Sequence, residues 1–289
     1  MKDFTVENLT EEVVKAYTSK TDSPRMKQVF SSLITHLHGF VKDVELTEAE
    51  WFAAIQFLTA TGKKCDDKRQ EFILLSDTLG ASMLVDSINH PKGGAGTEST
   101  VLGPFYVPGA PEMPFGGDVR RRHLDAANPC LVTGKVCDAE GKPLAGATLD
   151  IWQTAANALY DVQDSDAPEW NLRGQFTTNE RGEYALVTEQ PVSYSVPTDG
   201  PVGDMLAAAG RHAFRPAHLH FLVSADGHET LTTHVFVKGD EYLDSDAVFA
   251  TKETLVGDFK VCDDAERGKQ FGLTVPFVTL AFDFGLMAS

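Results

Sequence analysis

Arg215-Pro216-Ala217-His218-Leu219-His220-Phe221-Leu222-Val223 is the stretch on which the fold turns. It reads as a β-strand carrying two histidines two residues apart. Strand side chains alternate between faces, so His218 and His220 point one way while Leu219 and Phe221 point the other. One face belongs to a core, and the other presents two imidazoles to a single metal ion. Histidines so spaced also occur with their nitrogens satisfied by hydrogen bonds alone. The chain holds a contrasting case in His36-Leu37-His38. That pair sits in a helical pattern, where positions two apart face opposite sides, and is read as non-ligating.

Around the histidine strand the pattern is one of short strands and turns. Leu131–Val136 and Ala147–Trp152 read as strands, with Asp138-Ala-Glu-Gly-Lys-Pro143 as the turn between them. Asn179-Glu-Arg-Gly182 leads into Glu183–Val187, and Asp226-Gly227 separates the histidine strand from Thr230–Val237. Such spacing predicts an antiparallel β-sandwich. Upstream the apolar period is helical. Helices are expected over Thr10–Ser19, Met26–Val41 and Lys68–Ile88, the last running through Gly80. Thr47-Glu48-Ala49-Glu50 is a capping box opening a further helix at Trp51. Gly93-Gly94-Ala95-Gly96 marks a junction. The predicted class is α+β and mainly β, with a helical segment over 1–95 docked on a sandwich over 96–289.

Composition narrows the function. The 289 residues carry 25 basic against 42 acidic side chains, a net charge of −17. A phosphate backbone or an anionic membrane surface is repelled by that field, so neither is expected as a partner. No run approaches the roughly 18 apolar residues of a membrane span. The four cysteines form no CxxC pair and no zinc-like spacing. Reduced thiols and a cytoplasmic location are expected.

Two tyrosines stand upstream of the histidines: Tyr160 in Asn157-Ala-Leu-Tyr160-Asp-Val-Gln, and Tyr194 in Pro191-Val-Ser-Tyr194-Ser-Val-Pro. The plain reading of each is a strand-edge ring with its hydroxyl in solvent. As ligands they would be demanding. Ionising one phenol at neutral pH costs roughly 4 kcal/mol and two cost about 8. A hard trivalent ion such as Fe³⁺ offsets that more readily than a divalent one, and imidazole suits iron as well.

The run from Tyr194 to Gly203, then Gly210-Arg-His-Ala-Phe-Arg215-Pro-Ala-His218-Leu-His220-Phe221, resembles the intradiol ring-cleavage dioxygenases. So do Leu131–Tyr160, the segment Glu98-Ser-Thr-Val-Leu-Gly103-Pro-Phe-Tyr-Val and the helical head, so the likeness covers nearly the whole chain. It implies one Fe³⁺ per subunit, held by Tyr160, Tyr194, His218 and His220. It also implies an aromatic ortho-diol and O₂ as substrates, and a homodimer through the N-terminal helices. Tyr194 is the ligand expected to depart and accept a substrate proton. Arg215 is expected to stabilise negative charge developing on the ring; its bland alternative is an ordinary salt bridge. A regular strand would send Arg215 to the face opposite His218, but Pro216 predicts a bend. One departure is Ala158, where many relatives carry Gly.

Within that resemblance two features lean toward hydroxyquinol-cleaving members. His234 in Leu231-Thr-Thr-His234-Val-Phe-Val stands where catechol-cleaving members typically carry Gln; the resemblance makes it a residue supporting the ligands. Asp77 lies in an apolar helix, where an unpartnered buried carboxylate is costly. Asp77 is expected to accept a hydrogen bond from a third ring hydroxyl, the alternative being a helix-surface Asp. Leu74, Val101, Leu102, Gly103 and Val248 match other pocket positions. Cleavage of catechol or chlorocatechol is the alternative within the same chemistry. A metal-free, transthyretin-like binding module is the alternative of another class. A zinc hydrolase is disfavoured because no carboxylate base accompanies the histidine pair.

Overall fold

The computed structural model describes residues 3–66, 69–90 and 96–289. The chain divides into two compact units, residues 1–60 and 61–289. The first contains α1 (Leu9–Thr18), α2 (Pro24–Asp43) and most of α3 (Glu48–Lys64). Ser23 caps α2 by accepting from the Met26 N–H, with Pro24 at the first helical position. The capping box forms reciprocally at α3: Glu50 accepts from the Thr47 N–H and Thr47 accepts from the Glu50 N–H. Tyr17 on α1 meets Phe30 on α2 with ring centroids 5.3 Å apart. His38 bonds Thr10, while His36 reaches back to the Ser32 carbonyl.

The single helix expected over 68–88 is two, α4 (Glu71–Thr78) and α5 (Ala81–Asn89). Gly80 adopts φ +74° between them, and its N–H bonds the Asp77 carbonyl. That left-handed turn ends a helix, so here the glycine is a stop and not a tolerated interruption. Both helices lie in the second compact unit, which begins at residue 61. Leu74 on α4 is buried with Val196, Val202, Leu206 and Val248. Of the junction expected at 93–96, residues 93–95 lie outside the described ones.

The strands follow in order: β1 (Gly117–Asp118), β2 (Pro129–Asp138), β3 (Thr148–Trp152), β4 (Arg173–Thr177), β5 (Glu183–Glu189) and β6 (Tyr194–Ser195). Helix α6 (Pro201–Ala208) precedes β7 (Phe214–Arg215), β8 (His218–Ser224) and β9 (Leu231–Val237). After these come β10 (Val256–Gly257), β11 (Lys260–Cys262), α7 (Ala265–Gln270), β12 (Phe277–Ala281) and β13 (Phe284–Leu286). One sheet runs β1-β5-β2-β12-β11, with β13 also on β2; the other runs β10-β9-β8-β3-β4. The central pairs are antiparallel as expected, but the sheets as a whole are mixed. β1 on β5, β10 on β9, and β12 and β13 on β2 are all parallel. Parallel neighbours need long crossovers, which local turn signals do not reveal.

Between the sheets lies a core that includes Val132, Leu149, Ile151, Phe176, Leu186, Leu219, Phe221, Val223 and Phe284. Leu219 and Phe221 are the inward positions read from the alternation of β8. Burying a side chain such as Phe221 contributes about 1.5–3 kcal/mol. No helix among the described residues is long and apolar enough to cross a membrane.

Candidate metal centre

The far face of the histidine sheet builds the site. β8 pairs antiparallel with both β3 and β9, and the register sets Trp152, His220 and His234 side by side across three strands. The Trp152 indole stacks on the His220 ring at 4.6 Å and 15°. Arg215 does not continue β8. Pro216 and Ala217 interrupt the chain, and β7 forms a separate ribbon with β6 in which Tyr194 is the cross-strand partner of Arg215. That break returns Arg215 to the histidine side.

Four donor atoms converge. Tyr160 Oη lies 2.8 Å from His220 Nε2 and 3.2 Å from Tyr194 Oη, and the two histidine Nε2 atoms are 3.2 Å apart. All four residues are at most 4% exposed. Atoms sharing one ion at a bond length of about 2.1 Å sit roughly 3 Å from one another, so the set fits a single ion. Both imidazoles are oriented for it. His218 Nδ1 donates to the Pro216 carbonyl at 2.7 Å, leaving Nε2 with a lone pair. His220 Nδ1 faces His234 Nε2 at 2.8 Å, and His234 Nδ1 faces Thr100 Oγ1 at 2.8 Å. With His220 Nε2 turned to the donor cluster, its proton must sit on Nδ1, which fixes the His234 proton on Nδ1 in turn.

Burial holds all three imidazoles well below the usual histidine range, with the Arg215 charge adding to it. Neutral imidazoles are what a metal requires. Burial, and then the neighbouring Tyr194, push the Tyr160 phenol well above its ordinary value. Two buried phenols and two neutral imidazoles form a donor set for a hard trivalent ion, whose charge would offset that cost.

Arg215 completes the wall. It is 3% exposed, with Nη1 3.2 Å from His218 Nε2 and 3.4 Å from Tyr194 Oη. Leu74 and Val248 share one buried cluster, with Val101 packed against it. Gly103 takes φ +77°, and a Cβ there would come 3.4 Å from the His220 ring. Leu102 is farther out, 40% exposed. A cavity of about 530 Å³ adjoins the centre, lined in part by Leu74, Phe105, Tyr106 and Pro197. The Phe105 ring stacks on Tyr160 at 4.6 Å.

Asp77 is buried on α4, not on a helix surface. Burial pushes its carboxyl up, while Ser82 and the Arg215 charge pull it back. Because its folded value lies above the unfolded one, the folded state holds the proton more tightly. Stability is then greatest at low pH and falls as pH rises from the unfolded value through the folded one. Asp77→Asn should therefore melt above the parent at about pH 7 and match it near about pH 3. An equal difference in melting temperature at both would contradict the buried-carboxylate account. Ala158 is the other local prediction. It sits at φ +63° in the turn before Tyr160. Ala158→Gly should stabilise the chain by roughly 0.5–1 kcal/mol, read by urea unfolding.

Trp152, Phe105, Thr100 and Asp246 escaped the sequence reading. Their places depend on strand register and loop closure, which no local motif carries.

The chain matches the family model described as Dioxygenase over residues 101–288, and the one described as Catechol dioxygenase N terminus over 23–97. It is 48% identical over 271 residues to a hydroxyquinol 1,2-dioxygenase of Rhizobium sp. (strain MTP-10005), covering 93% of this chain and 91% of that protein. It is 49% identical over 259 residues to a 6-chlorohydroxyquinol 1,2-dioxygenase of Cupriavidus pinatubonensis, covering 90% and 93%. The crystal structure of a hydroxyquinol 1,2-dioxygenase from Pseudomonas putida DLL-E4 superposes with a TM-score of 0.91 at 47% identity, over 98% of this chain and 99% of that one. The chain belongs to the intradiol ring-cleavage dioxygenases. It is thus an oxidoreductase that opens an aromatic ortho-diol with O₂.

Proposed function

We propose that this enzyme cleaves hydroxyquinol, 1,2,4-trihydroxybenzene, between its adjacent hydroxylated carbons. The product is 3-hydroxy-cis,cis-muconate, the enol form of maleylacetate. The observation that carries this reading is Asp77, a buried carboxylate on α4 that feels Ser82 and the charges of Arg215 and Asp246. The third ring hydroxyl would bring this carboxylate a donor that catechol lacks, and a polar group so placed discriminates far better than apolar contact. The names of the relatives at 48% and 49% identity point the same way.

Tyr160, Tyr194, His218 and His220 are the residues that would hold one Fe³⁺ per subunit. That ion would supply the Lewis acidity that draws electron density from the diol and opens the ring to O₂. The remaining work falls to the chain. Tyr194, if held to the ion as a phenolate, would accept one of the two diol protons at Oη, and a hydroxide on the same ion would take the other. Arg215 Nη1, 3.4 Å from Tyr194 Oη, stabilises the negative charge that develops on the ring. His234 and Trp152 hold the His220 ring in place. Leu74, Val101, Leu102, Gly103 and Val248 pack the substrate ring, and the burial of the donors excludes water.

The exposed Leu33, Leu37 and Phe40 on α2 support a homodimer through the N-terminal helices. The free cysteines and acidic composition support a cytoplasmic enzyme.

Turnover of hydroxyquinol under ¹⁸O₂ tests the reaction. Ring-opened product carrying both atoms of one O₂ is expected. Product with a single labelled oxygen, or an oxidised quinone alone, would sink the proposal.

A further inference from the structure

We propose that Asp246 is a positioning residue for the reaction: one buried carboxylate aims the Arg215 guanidinium and, with the same two oxygens, fixes the backbone that presents Val248. The inference rests on the role given above to Arg215. Asp246 is 4% exposed, unlike Asp244 and Glu241 in the same acidic stretch, which are not buried. Its Oδ1 accepts from Arg215 Nε at 3.1 Å and from the Val248 N–H at 3.2 Å. Its Oδ2 accepts from Arg215 Nη2 at 3.4 Å and from the Ala250 N–H at 3.1 Å. Every hydrogen bond is thus duplicated, one to the cation and one to the loop from each oxygen.

The geometry fixes a direction. A guanidinium held on its Nε and Nη2 edge by a carboxylate keeps its third nitrogen, Nη1, free to point away. Nη1 is the atom that lies 3.4 Å from Tyr194 Oη and 3.2 Å from His218 Nε2. Asp246 touches neither tyrosine nor histidine and acts through the arginine. The loop has a second, independent anchor. Arg211 donates to the Ala247 carbonyl at 3.1 Å and to the Thr78 carbonyl at the end of α4 at 2.8 Å. Its guanidinium also covers the Phe249 ring at 4.6 Å. Loss of the Asp246 charge therefore leaves the loop attached while freeing the arginine to turn.

Asp246→Asn keeps an acceptor for Nε and for the Val248 N–H. It sets an amide N–H₂ against two donors, Nη2 and the Ala250 N–H. In the iron-loaded enzyme, kcat should fall by about tenfold or more, because a small misplacement of a reacting group is enough to do so. KM should stay within about threefold, since the Val248 anchor survives. The decisive comparison is a cycle with Arg215→Ala. Added to that variant, D246N should lower kcat by no more than about twofold further. Multiplicative losses, or a D246N enzyme with unchanged kcat per iron, would overturn the inference. A raised KM and lowered melting temperature with kcat per iron intact would instead make Asp246 a purely structural residue, which also overturns it. Should D246N fail to load iron, the same cycle is run with D246E, which keeps the charge and displaces it by one methylene. If Arg215→Ala alone turns over normally, it is the reading of Arg215 that fails. If Arg215→Ala is slow and the Asp246 variants are not, only the present inference does.

Discussion

Arg215→Ala should slow turnover per bound iron by about 10²-fold, or about 2.7 kcal/mol of barrier, the scale of losing one electrostatic stabiliser. The effect belongs to Nη1, which faces Tyr194 and His218 from a site where solvent cannot substitute for it. Asp246 beside it, and then Tyr194, hold the Arg215 proton more firmly than usual even though burial works the other way. The charge is therefore permanent over any working pH. Removing it also strands a buried carboxylate, a change that typically costs about 3–5 kcal/mol. The two N–H groups of the 246–250 loop offset part of that. A lower melting temperature should accompany the slower turnover, so kcat has to be normalised to iron content. Arg215→Lys keeps a cation but not the fork, and should fall between the two. A kcat per iron near that of the parent in Arg215→Ala would remove Arg215 from the mechanism.

His220→Ala should have the largest effect of all, loss of the metal itself. His220 Nε2 is 2.8 Å from Tyr160 Oη and 3.2 Å from His218 Nε2, at the middle of the donor cluster. Its ring is held by Trp152 on one side and by His234 through Nδ1. Truncation removes a donor and leaves two buried phenols without the charge that would offset their ionisation. Iron affinity should fall by at least about 10³-fold, with activity lost in proportion. His234→Ala leaves the four donors in place and should cost only about 10- to 100-fold, the usual range for a partner one bond removed from the metal. Equilibrium dialysis of the two variants against iron separates the cases. Equal iron binding by His220→Ala and the parent would mean that the donor set is wrong.

What could be read from the chain was whatever lies within a few residues. Alternation along 218–223 placed the histidines on one face and Leu219 and Phe221 in the core, where they are found. The capping box at Thr47 and Glu50 formed as written. Tyr160 and Tyr194 could be put beside the histidines only through the resemblance. They stand 34 residues apart, and nothing local makes them meet. The parallel pairings of β12 and β13 on β2 join segments more than a hundred residues distant, beyond the reach of any turn signal. Gly80 shows the opposite failure. Its neighbours Leu79 and Ala81 favour a helix, so local propensity does not reveal its positive φ or the break between α4 and α5. Asp246 stands in an acidic stretch whose pattern does not show which carboxylate turns inward; burial and its bonds to Arg215 distinguish it from Asp244.

Asp77, buried on α4, is proposed to select a trihydroxylated ring. The most direct test is kcat/KM for oxygen uptake by iron-loaded enzyme on hydroxyquinol and on catechol, corrected for autoxidation, in the parent and in Asp77→Ala. The parent should prefer hydroxyquinol by more than about tenfold, or 1.4 kcal/mol, and the preference should collapse in the variant. A preference for catechol, or a hydroxyquinol preference that survives the loss of Asp77, would contradict that role.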